Sequence, residues 1–181
     1  KRGSRARPCA WSRFVREQWW ATIPRDSLPA PLAEDPGIRA LDRASDADRD
    51  ALAAILEATD YWRTESQNDA AAEVGAALAG VYGELVEDCC LVWEHRDRVH
   101  AFVLVTGRCV WRPELPDAPF LLDIAVSPEY RRKGVARRLV AAVVNRLGER
   151  RPASEPVLAM FIDHGNTASI ALFSEFGAEF A

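Results

Sequence analysis

The stretch FLLDIAVSPEYRRKGVARRLVAAVVNRLG, Phe120 to Gly148, decides the fold. Its first third, Phe120 to Val126, is almost wholly apolar and short, which predicts a strand buried on both faces. From Val135 the apolar residues recur at Val135, Leu139, Ala142, Val143 and Leu147, the spacing of a helix with one face on a core. A tight loop joins the two. Arg131, Arg132 and Lys133 stand at the helix entrance, and Gly134 permits close backbone approach. Free N–H groups, the positive end of a helix dipole and flanking cations together favour an anion such as a phosphate. A solvated basic loop is the competing reading, and this segment alone does not choose.

Two signatures in register do choose. Arg131, Gly134 and Ala136 match the R/Q-x-x-G-x-G/A pattern of the GCN5-related N-acetyltransferases, and Ile124 to Tyr130 resembles that family's core strand and its exit. Asn166, Ala168, Ala171, Leu172, Phe173 and Gly177 resemble its second signature, N-x-x-A-x-x-L-Y-x-x-x-G. The similarity is clearest from Leu121 to Phe180 and extends by arrangement back to Ile38. It implies a mixed α/β fold: a central, mostly antiparallel sheet flanked by helices, with one parallel pair, Phe120–Ser127 and Val157–Ile162, splayed apart.

The resemblance also implies an activity, acetyl-CoA-dependent acetylation of a primary amine on a small molecule or peptide N-terminus, without a metal. By carry-over, the backbone of Ile124 and Val126 pairs with the pantetheine arm. Arg131, Arg132, Gly134, Val135, Ala136 and Arg137 hold the pyrophosphate. Asn166 bonds nearer the reactive end, and it also suits the N-cap of the last helix. Phe173 stands where the family commonly has a tyrosine that protonates the departing thiolate, and phenylalanine cannot donate. Phe120 and Phe161 occupy two positions where a catalytic glutamate is common, which leaves Asp123 and His164 as the nearest titratable candidates, with Asp163 and Tyr130 behind them. Asp123 also fits a place against the first helix, and His164 a solvated loop. Tyr61 and Trp62, with Glu65 and Gln67, are candidate acceptor contacts or an aromatic cap over the core. A non-catalytic acyl-CoA-binding module and an RNA- or ribosome-associated acetyltransferase are the alternative function classes.

Working outward, Arg7 to Ala21 is expected as a helix with Trp11, Phe14, Val15 and Gln18/Trp19 along one side. Its aromatics are expected to dock on the domain or on a second subunit of a homodimer, and nucleic acid is not the expected partner. Pro24, Pro29, Pro31 and Pro36 mark a linker. Residues 1–36 are thus expected as a basic arm and linker, and 37–181 as the acetyltransferase domain. Within the domain, strands are expected at Ile38–Leu41, Asp88–Glu94, Val99–Val105 and Val157–Ile162. Helices are expected from Ser45 to about Ala58, from Ala70 to about Tyr82, and over Thr167–Phe176. The chain stops where the family usually adds closing strands, so either those are missing or the arm or a second subunit covers the open edge.

Composition bounds the rest. With 181 residues, 49% of them hydrophobic, the chain can bury a core for one domain. No apolar run is long enough to span a bilayer, so no membrane partner is expected. Residues 1–25 carry seven Lys or Arg against one acid, and the remainder sixteen against twenty-six. The leader is basic and the domain acidic. Cys9, Cys89, Cys90 and Cys109 lack metal-ligand spacing, which suggests buried free thiols and a cytoplasmic location.

Overall fold

A computed structural model describes residues 17–28, 35–59 and 69–181. Among these, seven strands form one sheet in the order β2-β3-β4-β5-β6-β1-β7. They are β1 (Gln18–Pro24), β2 (Ile38–Ala40), β3 (Leu91–His95), β4 (Arg98–Thr106), β5 (Phe120–Val126), β6 (Pro156–Asp163) and β7 (Glu179–Phe180). Four helices flank it: α1 (Asp46–Glu57), α2 (Ala70–Leu78), α3 (Val135–Gly148) and α4 (Thr167–Ser174). Every pairing is antiparallel except β5 with β6. This is the expected mixed sheet with one parallel pair.

Local chemistry explains the boundaries. Arg96 and Asp97 both take positive φ, 52° and 57°, and make the two-residue turn that suits the twist of the β3–β4 hairpin. Ser45 caps α1 by accepting from the Asp48 N–H. Asp48 itself is a buried acid, and Arg39 on β2 grips it with two bonds of 2.7 and 2.8 Å, which fixes the sheet edge to α1. α2 ends at Leu78, short of the expected Tyr82, because Gly80 turns left-handed at φ 78°. The Val81 N–H then returns to the Ala76 carbonyl, closing the helix with the bond pattern of a glycine cap. Glu87–Cys89 forms a single 3-10 turn, so β3 begins at Leu91 and not at Asp88.

Two apolar layers cover the sheet. On one face α3 packs Val135, Leu139, Val140, Val143, Val144 and Leu147 against β3–β6, with Phe173 and Phe176 beside them. On the other, α1 and α2 pack Leu52, Ile55, Leu56, Val74 and Leu78 over Val92, Phe102, Leu104 and Leu122. Cys89 and Cys90 fall in opposite layers, free and buried, and burial pushes their thiols up to about 12 and about 11. Cys109 is also free and buried, and Cys9 lies outside the described residues.

The main correction concerns the leader. Residues 18–21, expected to finish a helix, are strand, and β1 pairs with β6 over its whole length. Ala21 and Ile23 point into the α3-side core at 0% exposure while Trp20 and Thr22 face the other way. That alternation is the two-residue period of a strand, and Trp-Trp-Ala-Thr-Ile is rich in the aromatic and β-branched residues that suit it. β1 lies between β6 and β7, so it covers the edge of β6 that the sequence leaves open. The expected helix at 7–16 lies outside the described residues. No helix among the described residues is long and apolar enough to cross a membrane.

Candidate active site

β5 and β6 share one bridge, Phe120 with Ala159, where the Ala159 N–H also bonds to the Pro119 carbonyl at 2.8 Å. Beyond it the strands diverge. Ser127 donates to the His100 carbonyl on β4 at 2.8 Å. Backbone groups alternate along a strand, so those of Ile124 and Val126 face the opening towards β6. The Val126 carbonyl accepts from Arg131 Nε at 3.1 Å.

At the wide end stands the N-terminus of α3. Ser45, Asp69 and Asn166 cap α1, α2 and α4 with their side chains, whereas Gly134 offers α3 no cap. The first N–H groups of a helix have no internal acceptor, so those of Val135, Ala136 and Arg137 remain available to an anion. Gly134 is left-handed at φ 74°, and a Cβ there would meet Arg138 Nη1 at 3.2 Å. Arg132 is left-handed too, at φ 60°, and its side chain is exposed.

The cations of this loop divide into braces and free groups. Arg131 bonds to the carbonyls of Val126 and Ala58, each at 3.1 Å, and so ties the loop to β5 and to the end of α1. Arg137 pairs with Glu175 on the surface at 2.8 Å. Arg138 pairs with Asp35 and lies over the Trp93 ring. Lys133 sits over Tyr130 at 5.1 Å. Among the described residues, Arg132 and Lys133 are the exposed charges of the loop whose side chains neither a carboxylate nor a backbone carbonyl holds.

On the other face a bulge reshapes β5. Leu104 pairs with Asp123 and Val105 with Leu121, which leaves Leu122 as the extra residue. Leu121 therefore packs on the α3 side, while Leu122 and Asp123 both turn towards α1 and α2. They line a shallow pocket open to solvent, with room for about one water, together with Leu56, Glu73, Val74, Ala77, Tyr82, Phe102 and Leu104. Desolvation in this apolar setting pushes the Asp123 carboxyl up to about 7, the Ile124 N–H pulls the other way, and the Glu73 charge adds to the rise. Asp123 as a residue is half-buried because one side borders the pocket.

His164 stands elsewhere. It stacks on Trp19 with ring centres 4.2 Å apart, approaches Glu17 at 3.4 Å and does not line the pocket. Asn166 takes the capping role, accepting from Ser169 at 3.1 Å. Phe173, expected at the cofactor, is 1% exposed within the α3-side core and has no surface left for a ligand. Its place on the inward side of α4 decides this. Tyr61, Trp62, Glu65 and Gln67 lie outside the described residues. Glu73 and Tyr82 also line the pocket, and no local pattern in the sequence marks them, because α2 and the turn after it bring them there. Among the described residues no group of His, Cys, Asp and Glu could hold a metal ion.

The sequence model of the acetyltransferase (GNAT) family matches residues 52–178. No curated protein matches the sequence. Among solved structures, a GCN5-related N-acetyltransferase from Sphaerobacter thermophilus is 17% identical with a TM-score of 0.63, over 93% of this chain and 50% of that one. A GNAT-family protein from Novosphingobium aromaticivorans is 21% identical with a TM-score of 0.59, over 91% of this chain and 59% of its own. AAC(6')-Iy, in complex with the bisubstrate analogue CoA-S-monomethyl-acetylneamine, is 20% identical with a TM-score of 0.53, over 77% of this chain and 88% of its own. The chain thus spans half to three fifths of the first two proteins, and the likeness to all three is one of fold.

Proposed function

The chain belongs to the GNAT acetyltransferase family, and from that premise we propose that it transfers the acetyl group of acetyl-CoA to a primary amine of a small molecule or peptide N-terminus. The observation that carries this reading is the opening between β5 and β6, with an uncapped helix start at one end and a carboxyl of raised pKa on its other face. The N–H groups of Val135, Ala136 and Arg137 would hold the pyrophosphate, with Arg132 and Lys133 adding charge. Gly134 leaves the cradle clear. Ile124 and Val126 offer backbone partners to the pantetheine arm, and Arg131 acts as a brace for the loop. Bound there, acetyl-CoA supplies an acetyl thioester whose carbon–sulfur bond is exchanged for a carbon–nitrogen bond to the amine.

Asp123 takes the proton that the nitrogen gives up. With a pKa of about 7 its carboxylate is the main form above neutrality, and a base poised near the working pH is the effective kind. The need is real, because a lysine-like amine of pKa about 10.4 is neutral in only about one molecule in a thousand at pH 7.5. Phe173 has no proton for the sulfur, and a thiol of pKa about 8.5 leaves tolerably as its anion.

Release of CoA, followed against pH with a panel of amines, tests the proposal. The expected kcat/KM rises with pH through an acidic limb near 7 that is absent in Asp123→Asn. A limb that survives in that variant and vanishes in His164→Ala moves the base to His164. Saturable acetyl-CoA binding with no CoA release from any amine overturns the transfer reading in favour of a non-catalytic binding module.

A further inference from the structure

The entrance to α3 is held by a pair of charged groups that the transfer reaction does not use. Arg138, in the first turns of α3, reaches back and donates from Nη1 to the Lys133 carbonyl at 3.0 Å. That carbonyl belongs to the peptide joining Lys133 to Gly134. In a planar trans peptide the C=O and N–H point opposite ways, so the bond that holds the Lys133 carbonyl also turns the Gly134 N–H away from Arg138. Gly134 is left-handed at φ 74°, and a Cβ on it would stand 3.2 Å from the same Nη1. The guanidinium therefore fixes the peptide on which the helix entrance turns.

A cation near a helix N-terminus is disfavoured by the dipole, so Arg138 needs compensation to stay there. Asp35, just before β2, supplies it. Its Oδ2 pairs with Arg138 Nε at 2.5 Å and accepts from Trp93 Nε1 at 3.1 Å, while its Oδ1 accepts from the Gly37 N–H at 2.8 Å. A carboxylate already oriented by the indole and by Gly37 can hold the guanidinium in one geometry. The side chain of Asp35 is only 16% exposed, and the Arg138 guanidinium lies 5.9 Å from the centre of the Trp93 ring. Trp93 in turn meets Tyr130, in the turn that leaves β5, edge to face at 5.1 Å. One bed of side chains thus supports both ends of the loop.

We infer that Arg138, oriented by Asp35, is a positioning residue for acetyl-CoA: it fixes the Lys133–Gly134 peptide so that the N–H groups at the start of α3 stand ready for the pyrophosphate. This rests on the cradle reading above and adds the residues that set the cradle's shape. Charge and position predict opposite signs at Asp35. By charge alone, removing a carboxylate near an anion site tightens binding of the anion. By position, its removal frees Arg138 and loosens binding. Lysine at 138 separates the two accounts as well, because it keeps the charge but lacks the planar fork that reaches Asp35 and the Lys133 carbonyl together.

Calorimetry with acetyl-CoA on the whole protein tests this. Asp35→Asn and Arg138→Lys are each expected to weaken binding about tenfold. In an Arg138→Met background Asp35→Asn is expected to add less than about twofold, since the two residues act as one unit. Ile23→Ala, in the core away from the loop, controls for lost stability and is expected to leave affinity within about twofold. If Asp35→Asn fails to fold by circular dichroism, Arg138→Lys carries the test. Unchanged or tighter binding in Asp35→Asn, full affinity in Arg138→Lys, or an equal loss in Ile23→Ala overturns the inference and leaves the cradle standing. An Asp35→Asn effect that persists in full beside Arg138→Met overturns it as well. A parent protein that does not bind acetyl-CoA saturably overturns the cradle reading and this inference with it.

Discussion

In the proposed reaction the loop at residues 131–137 and the wall of the pocket around Asp123 act from opposite faces of β5, and they are built differently. The loop is contiguous. Its donors are backbone N–H groups set by a left-handed glycine and a helix start, so seven consecutive residues hold nearly all of its chemistry. The pocket wall, with the aromatic rings that adjoin it through Tyr82, draws on β1, α2, the 109–119 loop, β5 and β6. Its groups meet only when the sheet is complete. The difference predicts that damage to the loop is local and severe, whereas damage to the wall is graded and separable from cofactor binding.

The largest expected effect is at Gly134. Gly134→Glu puts a side chain against Arg138, a negative charge in the anion cradle and a strained φ on one residue. Acetyl-CoA affinity is expected to fall by at least about a hundredfold in calorimetry, with far-UV circular dichroism unchanged. A variant that binds as well as the parent breaks the comparison at its first term. Asp123→Asn comes next and tests separability. It should lower kcat by about a hundred- to a thousandfold and leave the acetyl-CoA dissociation constant within about twofold, because the carboxyl faces away from the loop.

A smaller effect is expected at Ile23, which links β1 to the α3-side core. Ile23→Ala should cost about 3 kcal/mol in urea unfolding, and more than about 2 kcal/mol is needed for β1 to count as an integral strand. The smallest is a pH effect. Between pH values of about 4 and 7 the folded protein keeps a proton on Asp123 that the unfolded chain has released, so stability falls as pH rises through that window and levels off above it. Allowing for solvent at the pocket mouth, the loss is about 2 kcal/mol. Asp123→Asn should flatten that slope, and a parallel curve in the variant would mean the carboxyl titrates as an ordinary one.

The same contrast explains what could be read from the chain. β5 and its helix were legible to the residue because an apolar run, a glycine and a 3.6-residue pattern lie side by side. The cap at Asn166 was legible for the same reason, as was the turn at Arg96-Asp97. Arg131 was legible as a loop residue but not as a brace, since its acceptors at Val126 and Ala58 depend on where α1 ends. The aromatic rings were not legible because Trp20, Tyr82, Trp111 and Phe161 share no local spacing. β1 misled for a further reason. Trp11, Phe14, Val15 and Gln18/Trp19 have helical spacing, and the strand that claims Gln18 to Pro24 lies far along the chain. The bulge that turns Asp123 into the pocket leaves no mark in the sequence, because it is a mismatch between two strands.

The place of β1 between β6 and β7 has a consequence for the order of assembly. Gln18 meets Asp163 across 145 residues of sequence, so one of the first strands to be made must wait for one of the last. Contacts of such long range form slowly, because the loop must close before any of its bonds can compensate. During that interval β6 has an unpaired edge and Trp20 has no ring to pack on. The ring cluster around Phe120, unlike the loop at residues 131–137, is therefore finished only at the final closure of the sheet.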